Sequence, residues 1–499
     1  MSSSAAFHEL TDKLKRAQLL ASVGDLLGWD EQVNLPPDSA DQRAEQRAIV
    51  AGTAHEAATD SRIGELLDEL EIERAAHSSD EQTVIHWARR DYDRETKLPP
   101  DFVRRKAEQA SRGYHAWAAA KRADDFSQYA PVLEQNLAMA KEEAAYLNFG
   151  DKPYDYMIDR HDPGMTAEVV GQLFAELRRE LVPLVKAIVN SPIKARTDLF
   201  RRFPVEEQAE FLREVTAKMG FDYRRGRLDV SLHPFCSGTG SDVRMTTRFD
   251  PDNPLDSLFS SIHETGHGLY EQGLPRDQHH TALGQSVGMG VHESQSRLWE
   301  NQVARSRGFW KFFEPKFRTA FPTQLAGVSS DDLYLAINAV EPTLIRVDAD
   351  EVTYNLHIIL RFEIEQALFA GTLKVADLPA AWNAASKSLL DLTPRSDREG
   401  VLQDVHWSDG SFGYFPSYCI GNMMAAQLWY FALSQRPGLE EDFARGDFSW
   451  LLNWLRKNVH EQGKRYDTRA LVQHITGEPL SPKHLIRYLK DRYAALYLR

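Results

Sequence analysis

Apolar positions along this chain recur at helical spacing far more often than they alternate. In "TAEVVGQLFAELRRELVPLV", Val170, Leu173, Phe174, Leu177, Leu181 and Leu184 return every three or four residues, and Thr166 is placed to cap the helix they predict. Similar stripes cover residues 8–28, 38–58, 101–147 and 352–371. Near the end, "SPKHLIRYLKDRYAALY" opens with Ser481 as a cap and Pro482 in the first turn. The pattern changes once. "RLDVSLHPF", "CSGTGS" and "DVRMTTRF" predict two strands joined by a Gly/Ser turn. Gly238-Thr239-Gly240 lacks the third glycine and the following helix of a dinucleotide loop, so it reads as that turn. With no fixed repeat, low-complexity tract or Pro/Gly/Ser-rich linker, the expectation is one mainly α-helical body over 1–499 with a small β-element.

Composition refines this picture. Of 499 residues, 42% are hydrophobic and 26% charged, enough apolar material for a large core. A net charge of −14, with Lys and Arg no denser than pairs such as Arg104-Arg105 or Arg224-Arg225, argues against nucleic acid and anionic membrane as partners. No apolar run approaches bilayer-spanning length. Cys236 and Cys419 are too few for a disulfide framework and read as buried, inert thiols in a reducing compartment. "MSSSAAFHELTDKLKRAQLL" has no signal-peptide pattern, so a cytoplasmic location is expected.

The chemistry concentrates in "SIHETGHGLYEQG". Asn253 can cap this helix, Pro254 and Asp256 suit its first turn, and Gly273 with Pro275 stops it. Leu255, Leu258, Phe259, Ile262, Gly266 and Leu269 form its expected buried stripe. His263 and His267 lie one turn apart, so both imidazoles can reach one ion. Glu264, rotated by roughly 100° from His263, can border a metal without binding it, where a general base belongs. A zinc hydrolase needs a third ligand. Glu293, 26 residues after His267, fits the two-His-one-Glu arrangement, with Glu300 as its rival. His279-His280 reads as an exposed loop feature.

The sequence also resembles the M32 metallocarboxypeptidases, the thermostable carboxypeptidase Taq family. The resemblance rests on "HPF" at His233, "DVRMT" from Asp242, "HETGH", "HESQ" from His292, "IRVDAD" from Ile345 and "GVLQDVHW" from Gly400. "GWDEQVNLPP", "KLPPDFV", "DPGMT" and "TGEPLSPKHLIRYL" extend it over nearly the whole chain. Ala282, Leu35 and Asp348 depart from the common family residues without touching the chemistry. The resemblance implies a zincin with a deep groove, N-terminal helices of about 1–100 as a lid, a homodimer, and zinc or cobalt as metal. It further implies removal of single C-terminal residues from peptides, with broad side-chain tolerance and proline disfavoured.

It also suggests His406 and a tyrosine, Tyr414 before Tyr418, as catalytic helpers. An exopeptidase must pair the free carboxylate of its substrate with a cation. Arg346 is the family-based candidate, with an ion pair to Asp348, Asp350 or Glu351 as its alternative role; Arg244 could serve instead or brace the β-element. His233 and His292 read as substrate-side or structural, and Asp242, Asp350 and Asp404 as equally eligible acceptors for the second N–H of a metal-bound histidine. The competing readings are an oligopeptidase that cuts internally or removes dipeptides, and a catalytically silent peptide-binding relative.

Overall fold

The computed structural model describes residues 4–498, which fold mainly into helices. Helices α1 (Ala5–Val33), α2 (Ala40–Ala58), α3 (Ser61–Ile72) and α4 (Ser79–Thr96) come first. Then α5 (Pro100–Ala123), α6 (Ala130–Tyr146), α7 (Pro153–Asp159), α8 (Ala167–Val189) and α9 (Val205–Met219) lead to strands β1 (Gly226–Val230), β2 (Cys236–Thr239) and β3 (Asp242–Thr247). Helices α10 (Pro254–Gly273) and α11 (Met289–Arg297) follow, and α11 runs on as a π-helical segment over Leu298–Val303. The remainder holds α12 (Arg307–Ala320), α13 (Ser330–Ile337), α14 (Tyr354–Ala370), α15 (Leu378–Leu390), α16 (Phe415–Gln435), α17 (Leu439–Ala444), α18 (Ser449–Asn458), α19 (Thr468–Thr476) and α20 (Lys483–Leu489).

Local chemistry sets the ends of these elements. The Thr166 hydroxyl accepts the Val169 amide at 3.3 Å, so α8 starts where its stripe predicts. The continuous stripe over 101–147 is two helices, because Asp124 turns left-handed at φ 56° and ends α5. Asn253 holds the cap position of α10 without a side-chain bond; its carbonyl takes the Asp256 amide instead. At the C-terminal end, α20 begins at Lys483, whose amide donates to the Ser481 hydroxyl at 3.3 Å.

The β-element differs from the expected hairpin. It has three strands in the order β1-β3-β2, with β1 parallel to β3 and β2 antiparallel. The "CSGT" stretch read as the turn is itself β2, and the turn shrinks to Gly240-Ser241. Pro234 sits in the link from β1 to β2, where a missing N–H costs no ladder bond. As an edge strand, β2 leaves Cys236 half-buried rather than buried; Cys419 is fully buried, and both are free thiols.

One large apolar core encloses α10, α11, α14 and α16, and α16 is buried without a break from Cys419 to Trp429. A second, small core holds Leu10 of α1 against Ile63, Leu66, Leu67 and Leu70 of α3 and Ile85 and Ala88 of α4. Of the 29 residues of α1 only Leu10 and Trp29 are buried, and α2 buries none. No helix among the described residues is long and apolar enough to cross a membrane.

Candidate active site

Two glycines bring the metal-ligand candidates together. A Cβ at Gly266 would lie 2.5 Å from the Ser296 Cα and 2.6 Å from the Gln295 carbonyl oxygen, so only a glycine lets α10 meet α11 at this point. On the opposite side α16 closes in at Gly421, where a Cβ would meet the Glu293 Cγ at 2.6 Å. Glu293 is thereby fixed facing the two imidazoles of α10.

The distances between donors fit a tetrahedral ion. His263 Nε2 and His267 Nε2 are 3.2 Å apart, and Glu293 Oε2 lies 3.4 and 3.5 Å from them. Ligands bound at zinc distances with tetrahedral angles would be separated by about 3.3 Å. These three are the residues whose ligand atoms cluster within 4.8 Å, the one such group among the described residues.

Their backs are held by partners that the sequence did not identify. Glu300, the rival ligand, sits behind the site and takes the Nδ1–H of His263 at 2.8 Å. His292 does not point away; its Nδ1 lies 2.5 Å from His267 Nδ1, and its Nε2 lies 2.8 Å from Glu271 Oε1. One tautomer set satisfies this chain: His267 Nδ1–H donates to His292, and His292 Nε2–H donates to Glu271. Both Nε2 lone pairs of His263 and His267 then face Glu293. None of the expected acceptors takes this part. Asp242 is engaged by Arg244, Asp350 caps the turn at Val352 and Thr353, and Asp404 is held by two arginines.

Charge is balanced by Arg297, whose Nε donates to Glu293 at 2.6 Å and whose Nη1 donates to Glu300 at 3.2 Å. Burial raises both carboxyls, but Arg297 and His263, joined by His267 at Glu293 and by Arg305 at Glu300, together outweigh it, holding Glu293 well below the carboxylate range and Glu300 at about 2. Burial lowers His267 to about 3, which keeps it neutral, while at His263 burial is opposed by Glu293 and Glu300. Glu264 is 7% exposed and makes no hydrogen bond among the described residues. Burial, opposed by His263 and aided by Glu293, pushes it up to about 7. It lines a cavity of about 680 Å³ with His263, Arg297, Glu300, Phe259 and Asp350.

A second cluster lies beyond Tyr354, whose ring is 4.6 Å from the Arg297 guanidinium and whose hydroxyl accepts from Arg346 at 3.1 Å. Arg346 pairs with none of its acidic sequence neighbours. It binds Asp404 Oδ1, while Arg361 takes Oδ2, so two buried guanidiniums share one carboxylate. Tyr418 stacks against Arg346, and Tyr414 bridges Tyr418 to His406 with ring separations of 5.3 and 5.4 Å. Burial lowers His406 to about 4 and raises Tyr414 to about 12, so both are neutral near pH 7. Glu365, invisible in the apolar stripe of α14, accepts from Trp407 Nε1 at 2.6 Å and from the Gly413 amide at 2.9 Å. It therefore pins the residues next to both His406 and Tyr414.

Two further expected substrate contacts belong to the β-element. Arg244 chelates Asp242 and lies 4.2 Å from the ring of Trp29, whose other neighbour is Arg227. His233 is exposed on the link before β2. His279 and His280 sit half-buried in the loop after α10.

The family model described as carboxypeptidase Taq (M32) metallopeptidase matches residues 9–493. The chain belongs to the M32 metallopeptidase family. Thermostable carboxypeptidase 1 of Thermus thermophilus is 41% identical over 510 residues, covering 100% of each chain. Carboxypeptidase 1 of Bacillus subtilis is 38% identical over 492 residues, covering 98% of each. The crystal structure of the M32 carboxypeptidase from Deinococcus radiodurans R1 superposes with a TM-score of 0.97 at 44% identity, over 99% of this chain and 100% of that one. An M32 metallocarboxypeptidase hydrolyses peptides with the help of a metal ion, and among the described residues the convergent imidazoles and carboxylate form a group that could hold one.

Proposed function

We propose that this M32 enzyme is a zinc carboxypeptidase that releases single amino acids from the free C-terminus of peptides, with broad side-chain tolerance and proline disfavoured. The observation that carries this reading is the tetrahedral spacing of His263 Nε2, His267 Nε2 and Glu293 Oε2 beside an unpaired Glu264. Zinc held by His263, His267 and Glu293, or cobalt in its place, would supply Lewis acidity towards the scissile carbonyl and the attacking water. Glu264 takes the proton of the attacking water and returns it to the leaving amine; its carboxyl, buried and without a bonded partner, faces the cavity as both transfers require.

Arg346 is assigned to the substrate carboxylate, because Asp404 leaves one of its two guanidinium charges unmatched in buried surroundings. Arg244 is the lesser candidate, being occupied by Asp242 and Trp29. Tyr414 is assigned as a neutral donor to the developing oxyanion, with His406 beside it, and Tyr418 as a positioner of Arg346. His233 is placed on the substrate side. The sparsely buried α1 and α2, of which α1 faces a cavity of about 640 Å³ against β2 and the turn after it, suit a lid. Family likeness extends the proposal to a cytoplasmic homodimer.

Mass spectrometry of a digested peptide tests the reaction. A ladder shortened one residue at a time from the C-terminus, with a C-terminally amidated copy resistant, is expected. Internal fragments or released dipeptides would overturn it.

A further inference from the structure

Four arginines from separated parts of the sequence converge where α10 ends. Arg224 and Arg225 precede β1, Arg276 follows α10, and Arg456 belongs to α18; together they line a concavity of about 670 Å³. One carboxylate, Asp222, lies among them, and it is taken up by Arg225 Nε and by the Arg224 amide, both at 2.9 Å. Arg276 donates to the Ser241 hydroxyl at 2.9 Å, an uncharged partner. Arg456 is half-buried, yet its side chain makes no hydrogen bond or ion pair among the described residues. Burial and the neighbouring Arg225 both oppose its charge, which Asp222 and Glu461 only partly offset.

The negative end of the α10 dipole would attract cations here, but it accounts for only one of them. Arg225 Nη1 takes the Gln272 carbonyl at 3.1 Å, whereas Arg224, Arg276 and Arg456 bond no carbonyl of that helix. In a chain of net charge −14, a half-buried guanidinium among three others, its charge only partly offset and bonded to no carboxylate, is costly unless an anion completes the site. Guanidinium forks match phosphate oxygens in pairs. The concavity exceeds what one phosphate fills, and no aromatic side chain lines it that could stack a nucleobase.

We infer that this concavity binds a short inorganic phosphate chain, held by Arg224, Arg225, Arg276 and Arg456 at a site separate from the metal. Sequence alone hid it, because the unremarkable Arg224-Arg225 pair is joined only in space by Arg276 and Arg456.

The test is calorimetric titration of the metal-loaded enzyme with inorganic tripolyphosphate at low salt, with metal content measured before and after. One site per chain is expected, weakening as salt is added. Arg456→Gln and Arg276→Gln should each weaken binding ten-fold or more; Arg456 has no partner to lose and Arg276 is exposed, so both variants should melt like the parent. Chelation of the catalytic metal would look alike in parent and variants. Equal binding by all three, or no binding by the parent, would overturn the inference. ADP should bind no tighter than pyrophosphate, and a ten-fold preference for ADP would overturn the assignment to a bare phosphate chain.

Discussion

Glu264 and Glu300 are both buried carboxyls beside His263, yet their partners divide their roles. Glu264 has no bonded partner and faces the cavity, while Glu300 is tied to His263 and Arg297. Glu264→Gln should therefore lower kcat by about 10²–10⁴-fold, the usual yield of general acid–base catalysis, with metal content unchanged. Glu300→Gln should instead weaken metal affinity or activity by about 10–100-fold, as loss of a ligand-orienting partner does. Metal analysis beside steady-state kinetics separates the two; metal loss in Glu264→Gln with full metal retention and activity in Glu300→Gln would reverse the assignment. That Glu300 could be mistaken for a ligand follows from sequence spacing. It stands seven residues after Glu293, two turns along one helix face, so both carboxylates approach α10. Spacing cannot say which one stops at the ion.

At the scale of elements, what was legible is what helical periodicity dictates. His263 and His267 share a face because they are four residues apart, and Glu293 falls on the next helix in a run that reads as helical. The contacts between helices were not legible. His292 meets His267 because α11 crosses α10 at Gly266 and then continues as a π-helical segment, a device common near functional sites. Periodicity within one helix carries no information about that crossing. The sheet failed for a related reason: alternation marks strands, but whether neighbours run parallel depends on where the chain re-enters. Trp29, held between Arg227 and Arg244, is one of two buried residues of α1 and its link to the sheet. Trp29→Ala should accelerate amide exchange in α1 and α2 while exchange in α10, α11 and α16 is unaltered. Unchanged exchange in α1 would show that the arm is anchored elsewhere.

The whole molecule carries a pH dependence in its core. His357 and His460 are fully buried, and burial lowers each to about 3, with nearby arginines adding to the effect. Unfolded, each takes up a proton near pH 6.5, whereas the native forms stay neutral until about pH 3. The unfolded state thus binds more protons throughout this window, so stability is full above pH 6.5 and falls as pH drops through it. Each histidine contributes a slope of about 1.4 kcal/mol per pH unit. Denaturant melts at pH 7 and pH 5 should show the loss, and His357→Gln should flatten it; a parent equally stable at both pH values would contradict the buried, neutral assignment.

Metal content and carboxypeptidase activity, followed together through chelation and zinc readdition in the parent and in Glu293→Gln, test the central claim most directly. The parent should bind one zinc per chain, lose C-terminal trimming when stripped and regain it when reloaded, while Glu293→Gln should hold metal weakly and trim poorly throughout. Full activity in the stripped parent, or a Glu293→Gln variant that binds zinc and trims peptides as the parent does, would contradict it.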